Sequence, residues 1–174
     1  FNADIFISEE DILMDTGGGL QNAQKLSSGN YPILIHNVDV ISNLNLRELY
    51  NTHTLFPESI ATLAVSDRKT SRYFLFDEEL DLKGWKNKNT NEIRLTNNQQ
   101  TDFQELAFSG IHIVSPDIFN YLPNKKVFSI IDAYLDIAKI KTIKGYVHSA
   151  SDWLDVGKPE MIKVAENFLY NSKV

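Results

Sequence analysis

Tyr31-Pro32-Ile33-Leu34-Ile35-His36-Asn37-Val38-Asp39-Val40 begins on an almost unbroken apolar run and delivers a carboxylate at its end. A run of this kind predicts a strand buried on both faces of a parallel sheet, because alternation of apolar and polar residues is missing. Working outward, Leu44, Leu46, Leu49, Tyr50 and His53 recur at helical spacing and predict a helix over about 44–55. Residues 59–66 give a second apolar strand. Upstream, residues 3–7 read as a strand, and Thr16 reads as the N-cap of a helix that enters through three glycines and continues to about Leu26. Strands and helices therefore alternate, which is the pattern of an α/β fold.

Downstream the alternation persists. Short strand-like pieces from Arg72 to Arg94 predict hairpins beside the main sheet, and the Asn-rich stretch 87–100 predicts a flexible loop. Residues 106–114 read as the next core strand, followed by helices at about 116–122 and 128–139 and a strand at 141–147. Pro159 sits well at a first helical position, opening a final helix to about Tyr170. Without repeats or a linker, residues 1–174 are expected to form one domain, long enough for a real core.

Composition narrows the partners. Lys and Arg number 17 against 23 Asp and Glu, a net charge of −6, which speaks against nucleic acid, since its ligands carry an excess of cations. The chain has no cysteine, which removes disulfides, thiolate metal sites and thiol nucleophiles. Apolar runs fall far short of the roughly 20 residues that span a bilayer, and no signal peptide is visible. A soluble, cytoplasmic protein without a membrane partner is expected; its oligomeric state is left open.

Three segments fall where ligands gather in an open α/β sheet, at the carboxyl ends of strands. Asp15-Thr16-Gly17-Gly18-Gly19 offers thin backbone and a helix N-terminus, and taken alone reads more readily as a tight strand-to-helix turn without a ligand. Asp39 is an ionised group ending an apolar strand, so it caps the next turn or binds a partner or metal. Asp155, within Trp153-Leu154-Asp155-Val156-Gly157-Lys158-Pro159-Glu160, is either a helix cap or a ligand. Arg68, Lys69 and Arg72 form a basic cluster readable as a solvated turn or as a phosphate-facing group. Trp85 and Trp153 read as packing residues, and the four histidines lack metal-ligand spacing.

Taken in order, Thr-Gly-Gly, the strand ending in Asp39 and Asp-Val-Gly-x-Pro-Glu before the last helix resemble the sugar-1-phosphate nucleotidyltransferase family, in its short form without a β-helix domain. The likeness covers nearly the whole chain and includes Phe108-Ser109-Gly110-Ile111-His112-Ile113, which looks like the family strand lining the sugar pocket. The resemblance implies a Rossmann-like α/β fold with a mixed, mostly parallel sheet flanked by helices. It also implies transfer of a nucleoside monophosphate from a nucleoside triphosphate to a sugar-1-phosphate, with Mg²⁺. By the same resemblance Asp39 and Asp155 hold the metal, Gly17 and Gly18 lie against the nucleotide, and Gly110 and Lys88 serve the sugar phosphate. The family usually has Gly where this chain has Val38. Its N-terminal glycine-rich loop with an Arg and a following Pro-Lys segment is not among these residues, so the chain is expected to be a C-terminal portion, without the N-terminal strands and inactive by itself. The pattern looks nearest to enzymes acting on N-acetylmuramate-1-phosphate or mannose-1-phosphate. Two rivals stand beside it: a nucleotide-sugar-dependent glycosyltransferase, whose usual Asp-x-Asp is here Asn37-Val38-Asp39, and a degenerate, non-catalytic binding subunit.

Overall fold

One mixed sheet organises the chain, and its connections decide where the carboxylates meet. The computed structural model describes residues 3–27, 29–97 and 102–171. Four helices are present among them: α1 (Asp15–Ala23), α2 (Leu46–Thr54), α3 (Ile130–Ile137) and α4 (Ile162–Asn171). The strands are β1 (Ile33–His36), β2 (Val40–Ser42), β3 (Ser59–Ser66), β4 (Arg72–Phe76), β5 (Leu82–Asn87), β6 (Glu92–Leu95), β7 (Gln104–Val114), β8 (Thr142–Val147) and β9 (Trp153–Asp155). The main sheet runs β6-β5-β4-β7-β3-β8, with β1 also on β7, while β2 and β9 make a separate two-stranded ladder.

The long strand β7 holds the sheet together. It pairs with β4 through 104–106, with β1 through 111–114 and with β3 along 107–114. Side-chain alternation then divides the core. Leu63 and Val65 of β3 join α3 residues Ile130, Tyr134 and Ile137 in one cluster. The intervening Ala64, with Ile111 and Ile113 of β7, packs on Leu49 of α2 in another. Helices thus cover both faces, and each fully buried Leu or Ile contributes about 1.5–3 kcal/mol. Every residue of β3 is buried, as its apolar composition predicts.

Helix starts follow local chemistry. Asn45 caps α2 by accepting from the Glu48 amide, and Ser129 caps α3 by accepting from the Ile131 amide. Thr16 is not the cap expected of it. It lies inside α1, and its hydroxyl accepts from the Ile130 amide, so it closes the start of α3 instead.

Other expectations give way to tertiary context. The mixed α/β sheet flanked by helices is present, but β3–β8 is the one parallel pair among the described strands, and the sheet is not mostly parallel. The hairpins β4-β5-β6 and the reversed strand β7 make the remaining pairs antiparallel. Strand β1 alternates half-buried with exposed residues instead of being buried on both faces. It has one ladder neighbour, and Ile33 and Ile35 alone pack on the core. Residues 3–7 form no strand; Ile5, Phe6 and Ile7 are exposed, because the segment reaches no sheet edge among the described residues. It runs on to α1, where Asn22 donates to the Ser8 hydroxyl and the Glu9 carbonyl. Stretch 87–100 contains a tight turn and β6, not a continuous loop; its residues 98–100 lie outside the described ones. Pro116 and Pro123 leave room for a single 3₁₀ turn, Pro116–Asn120, where a helix was expected.

Candidate functional site

Strand β1 ends at the Asn37–Asp39 turn, which leads directly into β2. The Asn37 amide donates to Gly110 O at 2.9 Å, and the Val40 amide closes the turn on Asn37 O at 3.2 Å. In the small ladder Val40 lies opposite Asp155, and the Val156 amide donates to Asp39 O at 2.8 Å. Two aspartates far apart in sequence are thereby fixed side by side. Gly157 completes the arrangement: its amide donates to Asp155 Oδ1 at 2.9 Å. A Cβ at residue 157 would lie 3.0 Å from Asp39 Oδ2 and 3.2 Å from Asp155 Oδ1. Both carboxylates therefore reach one point, and glycine leaves that point open. Neither forms an ion pair with a cation among the described residues.

No group of three or more His, Asp or Glu among the described residues could hold a metal by itself. A pair of convergent carboxylates suits Mg²⁺ nonetheless, since that ion keeps one or two protein carboxylates and completes its shell with water and substrate phosphates. Val38 is 99% exposed at the turn, and its φ is not positive, so the conformation does not require the expected glycine.

Two cavities flank this turn and share Asn37. The first, about 300 Å³, is lined by Asp39, Asp155, Gly110, Trp85, Trp153 and Arg68, among others. Gly110 has φ +72°, and a Cβ there would fall 2.9 Å from Asn37 Nδ2, so glycine is required twice over. Trp153 Nε1 donates to Ser109 O at 2.9 Å, and Ser109 Oγ lies 2.7 Å from His148 Nε2. The Arg68 guanidinium stacks 3.8 Å from the Trp153 ring centroid and donates through Nη2 to Phe108 O at 2.6 Å. Burial disfavours its charge; the nearby Asp155 and Tyr73 favour it. Burial also lowers His148, and the Arg68 charge lowers it further.

The second cavity, about 650 Å³, lies against the start of α1 and is lined by Thr16, Gly19, Val38, His112 and Ile130, among others. Gly17 and Gly18 stand behind it. Their amides both donate to Phe128 O, at 3.0 and 3.2 Å. A Cβ at Gly17 would meet the Phe128 ring at 2.4 Å, and one at Gly18 the Lys126 carbonyl at 2.2 Å. These glycines let α1 press against the 126–128 segment. Asp15, just before them, has φ +59°, a sparsely populated conformation for a residue with a Cβ.

Lys88 is placed beside the first cavity: its ammonium lies 2.6 Å from Glu105 and 4.4 Å from the ring centroid of Tyr73, a wall residue. Sequence reasoning missed the Arg68–Trp153 stack and the Ser109–His148 contact. The cluster Arg68-Lys69-Thr70-Ser71-Arg72 was the available signal for the first. Nothing local in the sequence marks His148.

Neither a family model nor a curated protein sequence matches the chain. Solved structures do. HddC from Yersinia pseudotuberculosis complexed with GMP-PN matches with TM-score 0.63 and 19% identity over 91% of this chain and 64% of that one. UDP-glucose pyrophosphorylase complexed with UDP-glucose matches with TM-score 0.67 and 20% identity over 92% and 64%. The inositol-1-phosphate CTP transferase from T. maritima matches with TM-score 0.60 and 9% identity over 91% and 62%. The chain spans less than two thirds of the length of each of these structures. The chain therefore shares its overall fold with these structures.

Proposed function

We propose that the protein is a sugar-1-phosphate nucleotidyltransferase. One observation carries the reading: Asp39 Oδ2 and Asp155 Oδ1 converge on one open point above Gly157, and both residues line the cavity at Gly110, which shares Asn37 with the cavity beside α1. A transfer between two polyanions calls for two sites meeting at one centre of charge neutralisation. The fold neighbours, one in complex with GMP-PN and one with UDP-glucose, support a nucleotide and a nucleotide-sugar as ligands of this fold.

In this reading the nucleoside triphosphate occupies the cavity beside α1 and the sugar-1-phosphate the cavity at Gly110. An oxygen of the sugar phosphate attacks the α-phosphorus, a new P–O bond forms, the α–β bond breaks and pyrophosphate leaves. The nucleophile is already anionic, so no side chain needs to remove a proton. Asp39 and Asp155 would hold Mg²⁺, which supplies neutralisation of phosphate charge when bound. Gly17 and Gly18 seat α1 so that Thr16 and Gly19 form the wall on the nucleotide side. Gly110 keeps the β7 backbone close to the sugar, with Lys88 just outside the wall. Among the described residues no helix is long and apolar enough to cross a membrane, and a cytoplasmic enzyme is proposed.

The test is pyrophosphate release by the full-length gene product with Mg²⁺, across nucleoside triphosphates and sugar-1-phosphates. Asp39→Ala and Asp155→Ala should each lose about 100-fold, some 2.7 kcal/mol of barrier. A folded full-length protein that turns over no pair would instead favour a binding subunit.

A further inference from the structure

The cavity at Gly110 holds a cation that makes no ion pair among the described residues. Lys86 and Lys88 are both ion-paired with Glu105, Lys83 with Asp77 and Asp81, Arg94 with Asp132 and Lys144 with Asp81. Arg68 has no carboxylate within 4.0 Å among the described residues. It is half-buried, follows β3 directly, and shares the cavity wall with Asp155.

Its orientation is fixed on two sides. The guanidinium lies on the Trp153 ring, which is itself held by its bond to Ser109 O, and Nη2 is anchored on Phe108 O. Stacking on an indole and one hydrogen bond to a carbonyl leave most of the five N–H donors of a guanidinium for another acceptor. A planar fork held rigid loses little entropy when it meets a phosphate, and its geometry accepts two phosphate oxygens at once. Partial desolvation strengthens the attraction, since the charge has less water around it.

Resting on the nucleotidyltransferase reading, we infer that Arg68, held flat on Trp153, is the residue that grips the phosphate of the sugar-1-phosphate. Lys88 is held on Glu105 at 2.6 Å and stands outside the cavity wall, so the grip is assigned to Arg68 instead. Trp153 acts through Arg68, as a positioning residue.

The full-length enzyme gives the kinetic test, with Arg68→Gln, Arg68→Lys and the exposed neighbour Lys69→Gln, which removes the same charge outside the cavity. Arg68→Gln should raise KM for the sugar-1-phosphate by about tenfold or more, with KM for the nucleoside triphosphate unchanged. Arg68→Lys should recover part of the loss, and Lys69→Gln should match the wild type. Equal rises in both KM values, a fall in kcat alone, or a rise confined to the triphosphate would overturn the inference. Both tryptophans line the cavity, so their emission gives a second readout. Mannose-1-phosphate, N-acetylmuramate-1-phosphate and inorganic phosphate are titrated into wild type and Arg68→Gln. Turnover by the wild type with Arg68→Gln unaffected sinks the inference and leaves the transferase reading standing. Binding that Arg68→Gln abolishes, without any turnover, does the reverse. Neither turnover nor binding by the wild type would overturn both.

Discussion

His112 should make the fold acid-labile by an amount that one substitution removes. The side chain projects from the C-terminal part of β7, is 2% exposed, and has no hydrogen-bond partner for either ring nitrogen among the described residues. Its neighbours are the rings of Phe108 and Tyr134, with centroids 5.4 and 5.6 Å away. Burial pushes its pKa down from 6.5 to about 3. Between those values the unfolded chain binds a proton that the folded chain refuses, so stability falls as pH drops from 6.5 towards 3 and is complete above that window. At about 1.36 kcal/mol per pH unit, lowering pH from 7.5 to 5 costs about 2 kcal/mol through this residue alone.

Urea denaturation reads the effect directly. For an m-value of about 2 kcal/mol/M, the wild-type midpoint should fall by about 1 M more than that of His112→Leu over the same pH change. Leucine fills a similar volume and removes two orphaned polar atoms, so the variant should be no less stable at pH 7.5. His53 and His148 are also lowered by burial, and they contribute to the slope of both proteins alike. The difference between the two proteins is therefore the diagnostic quantity. Equal midpoint shifts would show that His112 is not excluded from protonation, and the account of its environment would be wrong.

Two glycine substitutions separate packing from site geometry. Gly18→Ala drives a methyl to 2.2 Å from the Lys126 carbonyl, and should lower stability by about 1–3 kcal/mol, read by thermal or chemical denaturation. Gly110→Ala meets both a φ of +72° and Asn37 at 2.9 Å; it should destabilise by about 1–3 kcal/mol and raise KM for the sugar-1-phosphate more than KM for the triphosphate.

What was legible in the sequence and what was not follow from the range of the forces involved. Strand β3, helix α2 and the hairpins of 72–95 came through because their signals are local: an apolar run, a helical period, turn residues between short strands. Asp39 and Asp155 were legible as ordered motifs, each placed before a turn. Strand direction was not, because parallel and antiparallel neighbours bury similar residues and the pairing of β1 with β7 joins residues 75 to 81 positions apart. The exposed run Ile5-Phe6-Ile7 has strand composition without a strand partner, and composition cannot supply the partner. The Arg68–Trp153 stack joins residues 85 positions apart; each alone looks like a surface cation and a packing aromatic.

Gly157→Ala puts the convergence of the two aspartates to its hardest test. The backbone at residue 157 has no positive φ, so alanine introduces no conformational strain, and the segment is exposed. The added methyl lies 3.0 Å from Asp39 Oδ2 and 3.2 Å from Asp155 Oδ1. Both atoms end rotatable side chains at the surface, and they can swing away at a stability cost of under about 1 kcal/mol, so the melting temperature should hardly move. Swinging away destroys the shared point, however. If those carboxylates hold Mg²⁺ jointly, activity should fall by about 100-fold and the Mg²⁺ concentration for half-maximal rate should rise, because a metal bound by one carboxylate has lost a charged ligand. If each aspartate merely caps its own turn, the Val156 amide keeps its backbone acceptor on Asp39 and activity should not change. An active, normally Mg²⁺-dependent Gly157→Ala enzyme would refute the shared site while leaving the fold untouched.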